Sequence, residues 1–451
     1  MGGIIMIPEK SFFRTVFTLA VPVALQSMLQ ASFSIVDQIM IGQLGTVSIA
    51  GVGLAGKFSS IYSVLVSAIG AVAGIMISQY LGAKNNREVR RSFSKNLSFA
   101  VMLAVPLTLL CALMPEQIMG LYSKDSETIA SAGRYLAILS GTFLPIAGAT
   151  MLSTLYRCIE KASLPLIASI AAACLNTGLN YILIFGKMGW PAMGAEGAAV
   201  ATLISQIANF LIMLVMLPRH RHHFCEHGDA AHPLGKFNWQ QYIAMLLPIL
   251  ICELAWSLGE NVYAVIYGHL GTDSTAAMTL INPIQGLMIG ALCGLSSAAG
   301  IIIGKRLGNK EYNDAYTASK MLILYGTVGS MILSVVIILT AGYYVEIYQV
   351  EAEVKMLTRQ ILLAYAMIAP FKVLNMIVSG GILRSGGRTE YVMYIDLMGT
   401  WIFGVPLGLL SAFVLNLPIP WVYFILSLEE CVRFAVSIVI LRRKKWMNSI
   451  D

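Results

Sequence analysis

The sequence predicts an all-α integral membrane protein with twelve transmembrane helices in two parallel six-helix repeats. Mean hydropathy is +0.75, and charged residues make up only 12% of the chain. A soluble domain carries about a quarter charged residues, so this chain lacks the polar surface to face water on all sides. The chain also repeats itself: residues 22–84 align without a gap on residues 248–310, and 16 of the 63 pairs are identical.

Apolar segments of around 20 residues or more recur along the chain, each long enough to cross a bilayer as a helix. Short connections rich in Gly and Pro separate them, such as residues 42–45 and 417–420. The twelve predicted spans are residues 13–43, 50–80, 96–115, 129–152, 164–186, 196–217, 241–268, 276–304, 321–343, 360–382, 391–414 and 421–441.

The basic residues fix the predicted orientation. With the N-terminus in the cytoplasm, 22 Lys and Arg residues, including Arg157 and Arg384, fall on the cytoplasmic side and five on the other. This positive-inside asymmetry predicts a multi-pass protein of the plasma membrane with both termini in the cytoplasm. The net charge of +7 therefore reflects topology, and nucleic acid is not an expected partner.

The first helix of each copy begins inside and ends outside, so the copies are parallel repeats, an arrangement typical of transporters. The predicted domains are a first bundle at residues 1–217, a cytoplasmic linker at 218–240 and a second bundle at 241–451. The linker holds five histidines and Cys225 without a paired metal-binding spacing, which favours a solvated linker over a metal site. The seven scattered cysteines argue against a disulfide framework.

Several motifs resemble those of multidrug and toxic compound extrusion (MATE) transporters. They are P-x14-D-x4-G-x2-G from Pro22, GAKN at 82–85, LNTGLNYILIFG at 175–186, GAEGAA at 194–199 and GILRSGG at 381–387. The resemblance covers nearly the whole chain. It implies a V-shaped pair of six-helix bundles that exports cationic or amphipathic small molecules by alternating access. Inward flow of H⁺ or Na⁺ would drive export, without any other cofactor, and we expect a monomer in the lipid bilayer.

Ionisable groups at membrane depth are costly, so each is a functional candidate. The strongest is Asp37, which lies near the outer end of the first helix, where the resemblance places an aspartate of the family's N-terminal half. Low dielectric disfavours the ionised form of a carboxyl group, so such a group can exchange a proton as its surroundings change. The alternative is a fixed ion pair with Lys57, which enters the second helix at similar depth.

Pro22 lies 15 residues before Asp37 in the same helix. A proline inside a helix removes one hydrogen bond and permits a kink. The position is interpreted as a hinge that bends with the protonation of Asp37, or as a static kink.

In the second half, Glu253 and Glu260 lie seven residues apart on the seventh helix and so near one face. With the repeat offset of 226 residues, Glu260 corresponds to position 34 of the first half, which is one helical turn from Asp37. Glu260 is predicted to hold a cation or basic substrate, Glu253 is a further binding candidate, and the alternative for both is a buried, hydrogen-bonded acid.

Asn176 and Asn180 share a face of the fifth helix and are predicted to line the interior of the first bundle. Some proton-coupled members carry Asp at the position of Asn180, so the resemblance supplies no second proton carrier here. Sodium-coupled members pair a seventh-helix Glu with a tenth-helix Asp, whereas this tenth helix offers Lys372 and Asn375.

Asp396, near the cytoplasmic end of the eleventh helix, is a further binding candidate. Glu430 and Arg433 in the twelfth helix are expected to neutralise each other locally as a structural i,i+3 pair.

The sequence favours a proton-coupled exporter of organic cations. One alternative is a sodium-coupled exporter, and another is a flippase for lipid-linked saccharides, which would favour a strongly cationic cleft. The predicted interior is instead net acidic. An intramembrane enzyme is less favoured, because no histidine lies deep within a predicted span. A channel is also less favoured, and it would show no coupling to an ion gradient.

Overall fold

The computed structural model describes residues 9–218, 238–348 and 350–450, and all regular secondary structure in these ranges is helical. Nearly all of the predicted linker, with its histidines and Cys225, lies outside the described residues. The six cysteines within them are free thiols.

Up to residue 218, the described chain forms eight α-helices. These are α1 (Glu9–Ile41), α2 (Thr46–Gly82), α3 (Asn86–Leu113), α4 (Pro115–Met119), α5 (Ser126–Ser140), α6 (Phe143–Cys158), α7 (Ser163–Phe185) and α8 (Gly194–Met216). Asn85 and Asp125, just before α3 and α5, each accept a hydrogen bond from the backbone N–H three residues on, at 3.1–3.2 Å. Such caps satisfy donors that the first helical turn leaves free.

From residue 238 onward, eight further α-helices follow. These are α9 (Trp239–His269), α10 (Thr272–Gly308), α11 (Tyr312–Glu346), α12 (Ala352–Asn375), α13 (Thr389–Leu397), α14 (Val405–Leu409), α15 (Ile419–Ser427) and α16 (Glu429–Arg443). Three π-helical segments extend or join them, at Met376–Leu383, Met398–Gly404 and Leu410–Val414. Short π-helical segments are often found at functional sites.

Within the described residues, ten helical stretches are long and apolar enough to cross a membrane, and α5 with α6 forms an eleventh, bent by 45°. The remaining predicted span, 421–441, corresponds to α15 and α16, which are separated at Leu428 and carry charged residues near the break. The helices are consistent with twelve spans, and the all-helical prediction is confirmed.

The repeat is visible in the backbone as well as in the residues. Gly45 and its repeat partner Gly271 both have positive φ, 89° and 111°, just before α2 and α10. Lys84 and Lys310, just after these helices, are both left-handed with φ of 56° and 60°. Residues other than Gly rarely adopt this conformation, so its recurrence at the same offset indicates that the two copies follow the same path at these turns.

Packing divides the chain into two compact units. The N-terminal unit is Leu25–Ile77 with Asn85–Gly235, and the C-terminal unit is Met1–Ala24, Ser78–Lys84 and Lys236–Asp451. The chain therefore passes between the units inside α1 and again inside α2. Two short segments of the predicted first bundle thus pack with the second half, while the predicted bundle boundaries at 217 and 241 stay a prediction.

Within the C-terminal unit, the end of α2 crosses the end of α10 at very close range. A Cβ atom added at Gly82 would overlap the backbone carbonyl of Lys305, and one added at Gly308 would overlap that of Gln79. Gly82 and Gly308 are repeat partners, and so are Gln79 and Lys305. The two contacts are therefore equivalent, and each requires a residue without a side chain.

The end of α2 also binds the C-terminal tail of the same unit. Gln79, which is 1% exposed, donates to the carbonyl of Ser385 at 2.7 Å and accepts from the backbone N–H of Ile450 at 2.8 Å. Trp446 is fully buried and donates from Nε1 to the carbonyl of Leu441 at 3.1 Å. The tail is thereby held against the turn after α12.

We expect Gly82→Ala and Gly308→Ala each to destabilise the protein by about 1–3 kcal/mol, because the crossing helices must separate to admit a Cβ. The measurement is the thermal unfolding midpoint in detergent. Gly56→Ala and Gly286→Ala, on the same two helices with nothing within 4 Å of the added atom, are the matched controls. Equal midpoints for all four variants would contradict the close crossing.

Gln79→Ala should cost about 1–3 kcal/mol, because it leaves buried backbone groups of the tail and of the turn at Ser385 without a partner. Faster deuterium uptake at residues 446–450 is the expected readout. Gln117→Ala, at an exposed position in α4, is the control. Unchanged uptake in Gln79→Ala would mean that the tail is held without this side chain.

Candidate functional site

Asp37 is held in the N-terminal unit by two amide side chains of α7. Asn180 donates from Nδ2 to Oδ1 of Asp37 at 2.7 Å. Asn176, one turn earlier on α7, places a terminal amide atom 3.0 and 3.1 Å from the two carboxylate oxygens, where an amide nitrogen donates to both. Both asparagines are buried, at 8% and 1% exposure, and Asp37 is half-buried. The predicted shared face of Asn176 and Asn180 is therefore the face that binds Asp37.

A cavity of about 190 Å³ opens beside this carboxylate. Its polar lining consists of amides, hydroxyls and Asp37 itself, with no basic side chain. These polar residues are Gln30, Ser34, Asp37, Ser169, Asn176, Thr202, Ser205, Gln206 and Asn209. The cavity can therefore hold water or a small cation next to a single carboxylate.

The predicted ion pair between Asp37 and Lys57 is not formed in this structure. Lys57 has an exposed side chain, and no ion pair among the described residues includes it. Neutral amide donors take the place of the expected cation, so the pair alternative is wrong for this conformation.

A basic residue that the sequence assigned to the cytoplasmic side reaches towards the same cavity. Arg157 donates from Nη2 to Oε1 of Gln26 at 2.9 Å, and Gln26 donates to the hydroxyl of Ser169 at 2.7 Å. Ser169 is part of the cavity lining.

Pro22 lies within α1, two residues before the position at which α1 passes between the units.

Glu260 lines a separate cavity of about 290 Å³ in the C-terminal unit. Four tyrosines form much of its wall: Tyr263, Tyr267, Tyr365 and Tyr423. Lys372, Glu429 and Glu430 also line it, together with the amides of Asn282 and Gln285. We call this the tyrosine cavity; the structure brings Glu260 and Lys372 together there.

Glu253 and Asp396 line a second cavity of the same unit, about 240 Å³ in volume, which we call the arginine cavity. Arg384 lies 3.7 Å from a carboxylate oxygen of Glu253, and Cys252 donates from Sγ to Asp396 at 2.6 Å. Lys372 and Glu430 line both cavities. Glu253 and Glu260 therefore serve different cavities, although they share a helix.

The predicted local pair of Glu430 with Arg433 interacts electrostatically, but it is not an ion pair within 4 Å among the described residues. The nearest carboxylates of Arg433 are Glu429, at 3.5 Å, and Asp396, at 3.7 Å. Glu430 instead accepts from Nδ2 of Asn375 at 2.8 Å. An i,i+4 geometry with Glu429 brings the guanidinium closer than i,i+3 does, and it leaves a second carboxylate within reach on another helix.

The sequence missed Arg384, Glu429 and Arg433 as members of these cavities. Arg384 was predicted to lie on the cytoplasmic side. Its position just after a span indicates its depth in the membrane but not the direction in which its side chain points. Among the residues lining the two cavities, five are acidic and three are basic: Glu253, Glu260, Asp396, Glu429 and Glu430 against Lys372, Arg384 and Arg433. The lining is therefore net acidic, as predicted for the interior.

Comparison with solved structures finds the same fold. A crystal structure of a MATE transporter in complex with MaL6 superposes with a TM-score of 0.87 over 96% of both chains, at 18% identity. The crystal structure of a point mutant of the Vibrio cholerae MATE transporter VcmN gives a TM-score of 0.87 over 97% of this chain and 99% of that one, at 17% identity.

Comparison with curated proteins finds bacterial relatives along nearly the whole chain. The probable multidrug resistance protein NorM of Agrobacterium fabrum is 24% identical over 96% of this chain and 95% of its own. The probable multidrug resistance protein YoeA of Bacillus subtilis is 24% identical over 90% and 88%. The sequence model of the MatE family matches twice, at residues 22–182 and 248–410, and both matches start at the repeated prolines. The chain therefore belongs to the MatE family of multidrug and toxic compound extrusion transporters.

Proposed function

We propose that this transporter is a proton-driven antiporter that exports organic cations and related amphipathic molecules by alternating access. The observation that carries the proposal is Asp37, a carboxylate at membrane depth whose partners are neutral amides. A fixed ion pair would hold this group in its charged form, whereas neutral partners leave it able to take up and release a proton.

Asn180 can serve both protonation states of Asp37. Its nitrogen donates to the carboxylate, and its own Oδ1 is buried without a hydrogen-bond partner among the described residues. If the amide turned over, that oxygen could accept an O–H from a protonated Asp37. Asn180 thus offers either a donor or an acceptor to this carboxyl group.

The position of Pro22 supports the coupling of that proton to movement. α1 carries Pro22 near the point where the helix passes between the units, and it carries Asp37 within the N-terminal unit. A proline gap in the hydrogen-bond ladder lets a helix bend at that place. Protonation of Asp37 would change its hydrogen bonds to α7, and we expect α1 to bend at Pro22 in response.

The net acidic lining of the C-terminal unit supports a cationic substrate. Relatives described as multidrug resistance proteins support efflux as the direction of transport. We place the transporter in the plasma membrane as a monomer with both termini in the cytoplasm, with H⁺ as the coupling ion and no other cofactor.

In proteoliposomes that export ethidium under an imposed pH gradient, Asp37→Asn should reduce the export rate at least about tenfold. The amide cannot release a proton, so the gradient no longer drives the cycle. The assay is the initial rate of ethidium export under a pH gradient, and then under a sodium gradient of equal size.

Asp125→Asn is the matched control, because it makes the same change at an exposed helix cap, and asparagine also caps helices. Unimpaired pH-driven export by Asp37→Asn would refute the role of Asp37. Stimulation by sodium alone would assign the coupling ion as Na⁺ instead.

A further inference from the structure

We propose that the tyrosine cavity binds a small zwitterion, with its ammonium group on Glu260 and its carboxylate on Lys372. The inference rests on the proposed function, since it names a substrate class for the exporter. It differs from the general expectation of an organic cation in requiring an anionic group on the same molecule.

Within the described ranges, Glu260 and Lys372 carry opposite charges and make no direct polar contact. Neither Glu260 nor Lys372 has a hydrogen bond or an ion pair within 4.0 Å among the described residues. Other charged residues of the two cavities are engaged: Glu253 with Arg384, Glu429 and Asp396 with Arg433, and Glu430 with Asn375. Glu260 and Lys372 thus face one cavity without touching, and Lys372 interacts electrostatically first with Glu430 and then with Glu260.

This arrangement has a cost, because a charge held at membrane depth without a direct hydrogen-bond or ion-pair contact is incompletely stabilised. A ligand that carries both charges would satisfy both residues at once, whereas a simple cation would satisfy Glu260 and be repelled by Lys372. The site therefore discriminates by charge as well as by shape.

The wall and the volume of the tyrosine cavity also suit a small zwitterion. Tyr267 and Tyr423 lie with their ring centroids 6.4 Å apart, and Gln285 donates to the hydroxyl of Tyr423 at 2.9 Å. Aromatic faces attract alkylammonium groups. A volume of about 290 Å³ lies at the lower limit for drug-sized ligands, which favours a molecule of amino-acid size.

A buried hydrogen-bond acceptor lies close to Lys372 in the sequence. Asn375, one turn further along α12, is 7% exposed, and its Oδ1 is buried without a hydrogen-bond partner in the described part of the chain. It lines the arginine cavity together with Lys372. This oxygen is available to the Lys372 ammonium, and the π-helical segment begins at the next residue, Met376.

The test measures dissociation constants by isothermal titration of the purified transporter in detergent, without any gradient. Glycine betaine is the zwitterionic probe, choline is its cationic counterpart, and 3,3-dimethylbutyrate is its anionic counterpart. We expect glycine betaine to bind at least about tenfold more tightly than either of the others. Size-exclusion chromatography verifies that each variant is folded.

Lys372→Met should weaken glycine betaine to the level of choline while choline binds as well as before or better, and Lys372→Arg should retain most of the preference. Glu260→Gln should weaken both glycine betaine and choline. Lys187→Met, in an exposed loop, is the control and should change neither.

The proposal is overturned if glycine betaine does not bind, if choline binds as tightly, or if Lys372→Met weakens both probes equally. Asp37→Asn should retain glycine betaine affinity, because that residue lies in the other unit. If a pH gradient fails to drive export while glycine betaine binds as expected, the proton coupling is refuted and the zwitterion site is supported. If a pH gradient drives export while glycine betaine does not bind, the zwitterion site is refuted and the coupling is supported.

Discussion

The hydrocarbon core of a membrane has no water to solvate a charge, so a charge at depth must bind a partner within the protein or face a water-filled cavity. In the C-terminal unit this constraint centres on Arg433, which lies within 4 Å of carboxylates on α13 and α16 and donates to the hydroxyl of Thr400. A Cβ atom at Gly399 would overlap this side chain, so the small residue lets the guanidinium lie against the π-helical backbone. Arg433 thereby holds one carboxylate of each cavity, Asp396 in the arginine cavity and Glu429 in the tyrosine cavity.

The duplication kept the backbone and changed the chemistry. The repeat partner of Asp37 is Tyr263, whose hydroxyl donates to Glu429 at 2.7 Å. In one half the carboxylate stands on the repeated helix itself, and asparagines of α7 hold it. In the other half the repeated helix supplies the donor, and the carboxylate comes from α16. Each half thus has a hydrogen-bonded carboxylate at this position of the repeat. The carboxylate belongs to the repeated helix in the first half and to α16 in the second.

Hydropathy and the repeat predicted the helical class, and single charges within apolar runs identified Asp37, Glu253 and Glu260. Other features could not be read in this way. The pair of Glu253 with Arg384 joins residues more than a hundred positions apart, and a position after a span gives depth but not the direction of a side chain. The bend between α5 and α6 lies inside one apolar run, so composition alone predicted a single straight span.

The contact between α2 and the C-terminal tail can form only late in synthesis. Gln79 and Ile450 are 371 residues apart, so their hydrogen bond must wait until nearly the whole chain has been made. At about 5–20 residues per second, that interval is roughly 20–75 s. During it, the amide of Gln79 and the end of α2 depend on water or on the insertion machinery for their partners. Residues around Ile450 therefore complete the hydrogen bonds of a helix that was made 371 residues earlier.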